Sequence, residues 1–578
     1  MSLQLRKFCL LGLILALSGC GGGNSSLVNY PSIQLVTPIA TSIAAGTSLQ
    51  LNATVTNVND PNEPWPNQTV LWYVNGIAGG NAFIGTITPQ GLYTAPDIPT
   101  SNGTVTISAA PQAFPAVTAS LQVGVTFANA SLNGDFVFTL SGTQNGGPWA
   151  AVGSFTASNG TISGGLEDVN GPGGVSEALP FNGSYFVDAS GLGTATLTSS
   201  RGTQELSFTL NTQAQATVMT TGATTIASGS FYPQQSTALT LSSLNSAFVF
   251  GLSGSATSGP LSVIGTFVTN GSATLSYAEE DFNDGNTTVN QPFSGSYSIG
   301  SGGRGTASFT VAGATRTFSF YIVSPQQLQF IETDSSANLN GSAFQQESVN
   351  SSVTLAGTYV FFVSGNQGSN GYAAAGGFTP DTTTAGSVSA GTSDINIGGT
   401  DTTNTTLTGN FTVGASGRGT LALSGASGTH HYVYYLISPT AGLILTSDAG
   451  VNASGQLSFQ TGGYATAALS GSYNFSVASA PGAPTPTIST GLLTLNSLGA
   501  LAGFEDNNTS GTATGQLSAT GTYAMTVFTS TTSTRGVMTL TTNGGASTGY
   551  AMYPITSGSV ILVSGSGTPT VGLLNSQY

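Results

Sequence analysis

The chain has 578 residues, room for four or five domains at about 100–150 residues each. Only 5% of residues are charged, with 7 Lys+Arg against 22 acids, and Gly numbers 80. That balance excludes nucleic-acid partners, because a phosphate backbone demands a basic surface. The shortage of Glu, Lys and Arg beside abundant Gly, Thr and Ser excludes a helical protein. Two cysteines exclude a disulfide scaffold.

Residues 1–19 read as an export signal. Arg6 and Lys7 lie in a start without acids, and Cys9 to Leu17 is apolar. That run is too short, at about ten residues, for a bilayer that needs about 20. Leu17-Ser18-Gly19-Cys20 follows, and this ending resembles the lipobox of bacterial lipoproteins. The resemblance implies cleavage before Cys20, a diacylglyceryl thioether on its sulfur and acylation of the new amine. Two or more acyl chains give stable anchoring. Gly21, rather than Asp, implies transfer to the outer membrane. Residues 20–30, rich in Gly, Ser and Asn, read as a flexible tether. After cleavage the only cations are Arg201, Arg304, Arg316, Arg418 and Arg535, and lipidated Cys20 leaves no thiol for catalysis, disulfides or zinc.

Residues 31–127 carry short alternating strands between turn residues, the pattern of a sandwich. Val70-Leu71-Trp72-Tyr73-Val74-Asn75-Gly76 and Gly91-Leu92-Tyr93-Thr94-Ala95-Pro96 resemble bacterial Ig-like domains. The resemblance implies a core role for Trp72 and a spacer or adhesion module. Trp65, between Pro64 and Pro66, is predicted to sit in a partly exposed loop.

From residue 128 onward one unit recurs four times: 128–240, 241–350, 351–464 and 465–578. Leu132, Leu244, Leu355 and Leu469 open its first anchor, at spacings of 112, 111 and 114 residues. Gly153, Gly265, Gly376 and Gly491 open the second. Gly183, Gly295, Gly409 and Gly521 open the third, each two residues before an aromatic. The fourth is Gly-x-Gly around Leu192, Arg304 and Arg418, degraded around Arg535. The period is far longer than that of a solenoid, so each copy is a domain.

Inside a copy the pattern has period two. Phe136, Phe138 and Leu140 point one way and Asp135, Val137 and Thr139 the other; Phe318, Phe320 and Ile322 alternate with Thr317, Ser319 and Tyr321. One face is therefore expected buried and the other mostly wet. About eight such segments per copy leave no room for crossover helices. The fold class is all-β: an Ig-like sandwich, then four tandem antiparallel meanders. Each is an eight-stranded barrel, which abolishes sheet edges, or a barrel-like sandwich. The whole resembles multi-repeat bacterial surface lipoproteins that pair an Ig-like module with Gly/Thr-rich β repeats.

Candidate sites are few. Glu279, Glu280, Asp281 and Asp284 cluster in what reads as a loop, a calcium candidate against the plainer reading of a solvated turn. Arg304, Arg418 and Arg535 read as turn residues, because copy one keeps Glu167 and Asp168 but has Leu192 in place of the arginine. His430 and His431 are adjacent, so a strand sends them to opposite faces. No nucleophile elbow in a strand-to-helix context and no metalloprotease helix appears, so catalysis is not expected and no cofactor is assigned. Trp65 and Trp149 are candidate stacking platforms for sugars.

The expected role is a lipid-anchored outer-membrane, cell-surface protein with a structural or adhesive function, its four β domains extending from the Ig-like module. The alternative is a binding module for glycans or small apolar ligands, held in barrel interiors or on exposed aromatics. Expected partners are the membrane, through the lipid, and an extracellular glycan or protein.

Overall fold

The computed structural model describes residues 29–36, 41–236, 239–285, 288–347, 355–381, 383–526 and 534–578. The signal sequence, Cys20 and most of the tether lie outside them. Among the described residues every element is a strand or a short 3₁₀ turn.

The N-terminal module packs a five-stranded sheet, a four-stranded sheet and a three-stranded sheet around one core. Trp72 lies in that core, as the Ig-like resemblance implies, and so does Tyr93. Gly91 explains part of the motif: its left-handed backbone (φ +80°) passes under the Trp72 ring, where a Cβ would come within 2.9 Å. Trp65 is half-buried, with its ring edge-on to Phe114 at 5.7 Å. The module docks on the first barrel, where Phe127 and Ile98 join the barrel core and Ser131 donates to the Asp97 carbonyl at 2.8 Å.

Each repeat is a closed eight-stranded up-and-down barrel. Barrel 1 runs from Gly134–Gln144 to Thr225–Pro233, barrel 2 from Ala247–Ala256 to Ala337–Gln345, barrel 3 from Tyr359–Gln367 to Val451–Phe459, and barrel 4 from Gly471–Ser479 to Thr570–Ser576. The first strand pairs antiparallel with the last in all four. Closure therefore leaves no edge in a chain with few charges to guard one.

Aromatics fill the interiors. Phe138 meets Phe155, Phe181 and Phe231 at 5.8–6.5 Å between ring centres, and Phe309 meets five other phenylalanines in barrel 2. Two glycine anchors follow from this packing. A Cβ on Gly153 would strike the Phe138 ring at 2.5 Å, and one on Gly193 the Phe208 ring at 2.2 Å. Gly265 and Gly305 stand in the same relation to Phe250 and Phe320. Each interior is a packed core; the gap in barrel 2 measures about 10 Å³, room for at most one water. Trp149 is part of the barrel 1 core and 3% exposed, so it presents no face to a sugar.

The barrels do not extend as a string. The first two or three strands of barrel 1 pack on the last three of barrel 2; barrel 2 packs likewise on barrel 3, and barrel 3 on barrel 4. The second strand of barrel 4 (Thr487–Leu495) then packs on the last three strands of barrel 1. The four barrels close into a ring. Outward-facing residues in the seams are consequently dry, contrary to the expectation of one wet face. Val137, Ser319 and Tyr321 all point away from their own barrel core and are fully buried.

Candidate functional site: the four seams

The seams gather the buried aspartates Asp168, Asp281 and Asp394. The third strand of each barrel carries Asp-x-Asn: Asp168 and Asn170, Asp281 and Asn283, Asp394 and Asn396, Asp506 and Asn508. Alternation sends both side chains outward, into the next barrel.

In the first three seams the aspartate meets an arginine in bidentate geometry and a tyrosine. Arg304 Nε and Nη2 reach the two Asp168 oxygens at 2.8 and 2.5 Å, and Tyr321 donates to Oδ2 at 2.5 Å. Arg418 holds Asp281 at 2.7 and 2.8 Å with Tyr435 at 2.8 Å. Arg535 holds Asp394 at 2.7 and 2.6 Å with Tyr553 at 2.5 Å. The hydrogen bonds to Asp168 and Asp281 hold the Arg304 and Arg418 guanidinium groups charged well above their ordinary range. Burial and then the adjacent carboxylate push Tyr321 and Tyr435 far up, so both remain neutral donors. Planar guanidinium matches carboxylate geometry, and the phenol satisfies a further lone pair, as a dry ion pair requires.

The asparagine closes the neighbouring barrel's last hairpin. Asn283 Nδ2 donates to the Thr446 and Val451 carbonyls at 2.6 and 2.8 Å, and Asn170 to those of Glu332 and Ala337 at 3.0 Å each. A glutamine just beyond each barrel's last strand does similar work. Gln234, Gln346, Gln460 and Gln577 each donate through Nε2 to two carbonyls of the following barrel. For Gln577, next to the C-terminus, the following barrel is barrel 1, at Ser190 and Leu210.

The closing seam keeps the aspartate and the asparagine, but the aspartate lacks its arginine and tyrosine. Asn508 donates to the Thr220 carbonyl at 2.9 Å. Asp506 accepts from Ser207 Oγ and from the Gln516 amide at 2.5 Å. Leu192 stands where the other barrels have arginine, and Thr209 where they have Tyr321, Tyr435 and Tyr553. Apolar seam residues are replaced as well. Val137, Val249 and Val360 correspond to Asn474, and Val152, Ile264 and Ala375 to Thr490.

The remaining candidates fall differently from the sequence expectation. Glu279, Glu280 and Asp281 lie in the strand Leu275–Asn283, not in a loop. Alternation sends Glu280 inward to Arg316 Nη2 at 2.7 Å, and Glu279 and Asp281 outward to Ser416 and Arg418. Asp284 sits in the following bend. The carboxylates do not converge, and no group of three or more His, Cys, Asp or Glu among the described residues is placed to hold a metal. His430 and His431 both reach Asp448, at 3.5 and 2.7 Å, although they are neighbours on one strand.

No family model matches the chain, and no curated protein matches it. Among solved structures, a mutant of the vaccine antigen Transferrin Binding Protein B from Haemophilus parasuis Hp5 is similar over 62% of this chain and 82% of that chain. The identity is 10% and the TM-score 0.15.

Proposed function

We propose that this chain is a non-enzymatic, lipid-anchored surface protein whose ring of barrels serves a structural or adhesive role at the outer membrane. The observation that carries this reading is the filling of the barrels together with their closure head to tail. A filled interior has no room for a ligand, and a closed ring of edgeless sheets gives proteases few entry points. The barrels are apolar inside and rich in Thr and Ser outside, the reverse of a lipid-facing barrel. Membrane attachment therefore falls to Cys20, the first residue of the tether 20–30.

The test is whole-cell labelling and fractionation in a two-membrane bacterium expressing the full chain. Intact cells should bind an antibody to the barrels, and cells carrying the protein should adhere more strongly to host or mineral surfaces than cells without it. Cys20→Ser should release the chain from the membrane fraction. A Cys20→Ser chain that stays in the membrane, or full-length protein absent from the cell surface, would overturn the proposal.

A further inference from the structure

Beside the closing seam lies a half-open cleft of about 460 Å³ between barrels 1 and 4. Its volume is in the range of small-molecule sites, roughly 300–1,000 Å³. Barrel 1 contributes Asn211, Gln213, Gln215 and Tyr232, and barrel 4 contributes Asn474 and Asn575. Tyr578, its ring tilted against Phe127 of the Ig-like module at 5.9 Å, closes one side. None of the lining side chains carries a charge.

Four of the eight buried side-chain polar atoms without a partner among the described residues belong to this seam: Thr209 Oγ1, Thr212 Oγ1, Asn474 Oδ1 and Thr490 Oγ1. Asn474 is 3% exposed and lines the cleft; its Nδ2 donates to the Thr209 carbonyl at 3.3 Å while its Oδ1 has no hydrogen-bond partner among the described residues. An unmet buried acceptor is destabilising. The three sister seams avoid that cost with valine at the same position.

We propose that the cleft binds a neutral saccharide of about one or two rings. Primary amides both donate and accept, as sugar hydroxyls do. Tyr578, about a third exposed, supplies a ring for the apolar side of a pyranose. A phosphorylated or zwitterionic ligand would leave its charge unpaired, and a lipid chain would meet amide walls. The proposal gives the adhesive reading a ligand class and does not depend on the anchor: a failure here leaves the fractionation result standing, and the reverse holds too.

The experiment uses the full-length chain with Cys20→Ser, purified as a soluble protein, on an array of neutral and anionic oligosaccharides, followed by calorimetric titration of the neutral hits. Binding to neutral glycans is expected. Asn474→Val, which installs the residue of the sister seams, should weaken it about tenfold while preserving the fold. Gln215→Ala, on the exposed rim, should weaken it by a smaller factor. A silent neutral array, binding confined to anionic glycans, or affinity unchanged in both variants would each overturn the proposal.

Discussion

The three sister seams and the closing seam are built on one plan and finished differently. In the sisters, a buried aspartate is met by arginine and tyrosine, and a valine, isoleucine or alanine layer excludes water. In the closing seam the aspartate meets a serine and a backbone amide, and the apolar layer becomes Asn474 and Thr490. The backbone contacts survive in both, because Asn508 and Gln577 bind barrel 1 as their counterparts bind barrels 2 to 4. Ring geometry thus rests on amide-to-carbonyl hydrogen bonds common to all four junctions. The ion pair and the apolar layer are additions that one junction lacks.

Substitutions at equivalent positions should separate the two kinds of seam. The largest effect is expected from Asp281→Ala, which strands Arg418 and Tyr435 in a dry junction. A loss of about 3–5 kcal/mol should appear in denaturant unfolding of the full chain. Equal costs for Asp281→Ala and Asp506→Ala would erase the distinction.

Next is Glu332→Gln, in the hairpin that Asn170 caps. Glu332 is fully buried, and burial, helped by Asp334 and opposed by Arg316, raises its carboxyl to about 7. The folded chain keeps this proton up to about pH 7, whereas the unfolded chain gives it up near 4.5. Stability therefore falls as pH rises between those values. The Gln variant should match the parent near pH 4 and exceed it by about 3 kcal/mol near pH 8. A pH-independent difference would contradict the shift.

Asn283→Ala comes third. It leaves the Thr446 and Val451 carbonyls without their amide donor, a cost of about 1–3 kcal/mol. Asn508→Ala should cost a similar amount if the amide contacts are common to every junction. The smallest effect is expected from Asp506→Ala, about 1 kcal/mol, because only neutral donors lose a partner.

Much of the barrel was legible in the sequence. Period-two aromatics such as Phe136 and Phe138 mark core faces, and the recurring glycines at 153 and 193 mark places where a neighbouring ring crosses the backbone. Seam chemistry was harder to read for a specific reason. Copy one keeps Asp168 but has Leu192 in place of the arginine, which argues against a pair inside each copy. The pairing runs one copy forward, from Asp168 to Arg304, Asp281 to Arg418 and Asp394 to Arg535. A one-copy offset leaves Asp506 and Leu192 as the two unmatched ends, and the ring brings those ends to the same junction. Three arginines against four aspartates were the available signal; nothing in local periodicity says which copy faces which. Trp149 misled for a related reason, since a turn-flanking tryptophan looks exposed until the barrel closes over it.

Ring closure is most directly measured by the distance between spin labels on Ala223→Cys and Ser510→Cys, placed in the full-length chain with both native cysteines replaced, Cys9→Ser and Cys20→Ser. Ala223 belongs to barrel 1 and Ser510 to barrel 4, and the adjoining Gly511 touches the Ala223 backbone. A single narrow distribution at the short limit of the method is expected; broad, long distances, as from barrels strung out along the chain, would contradict the ring.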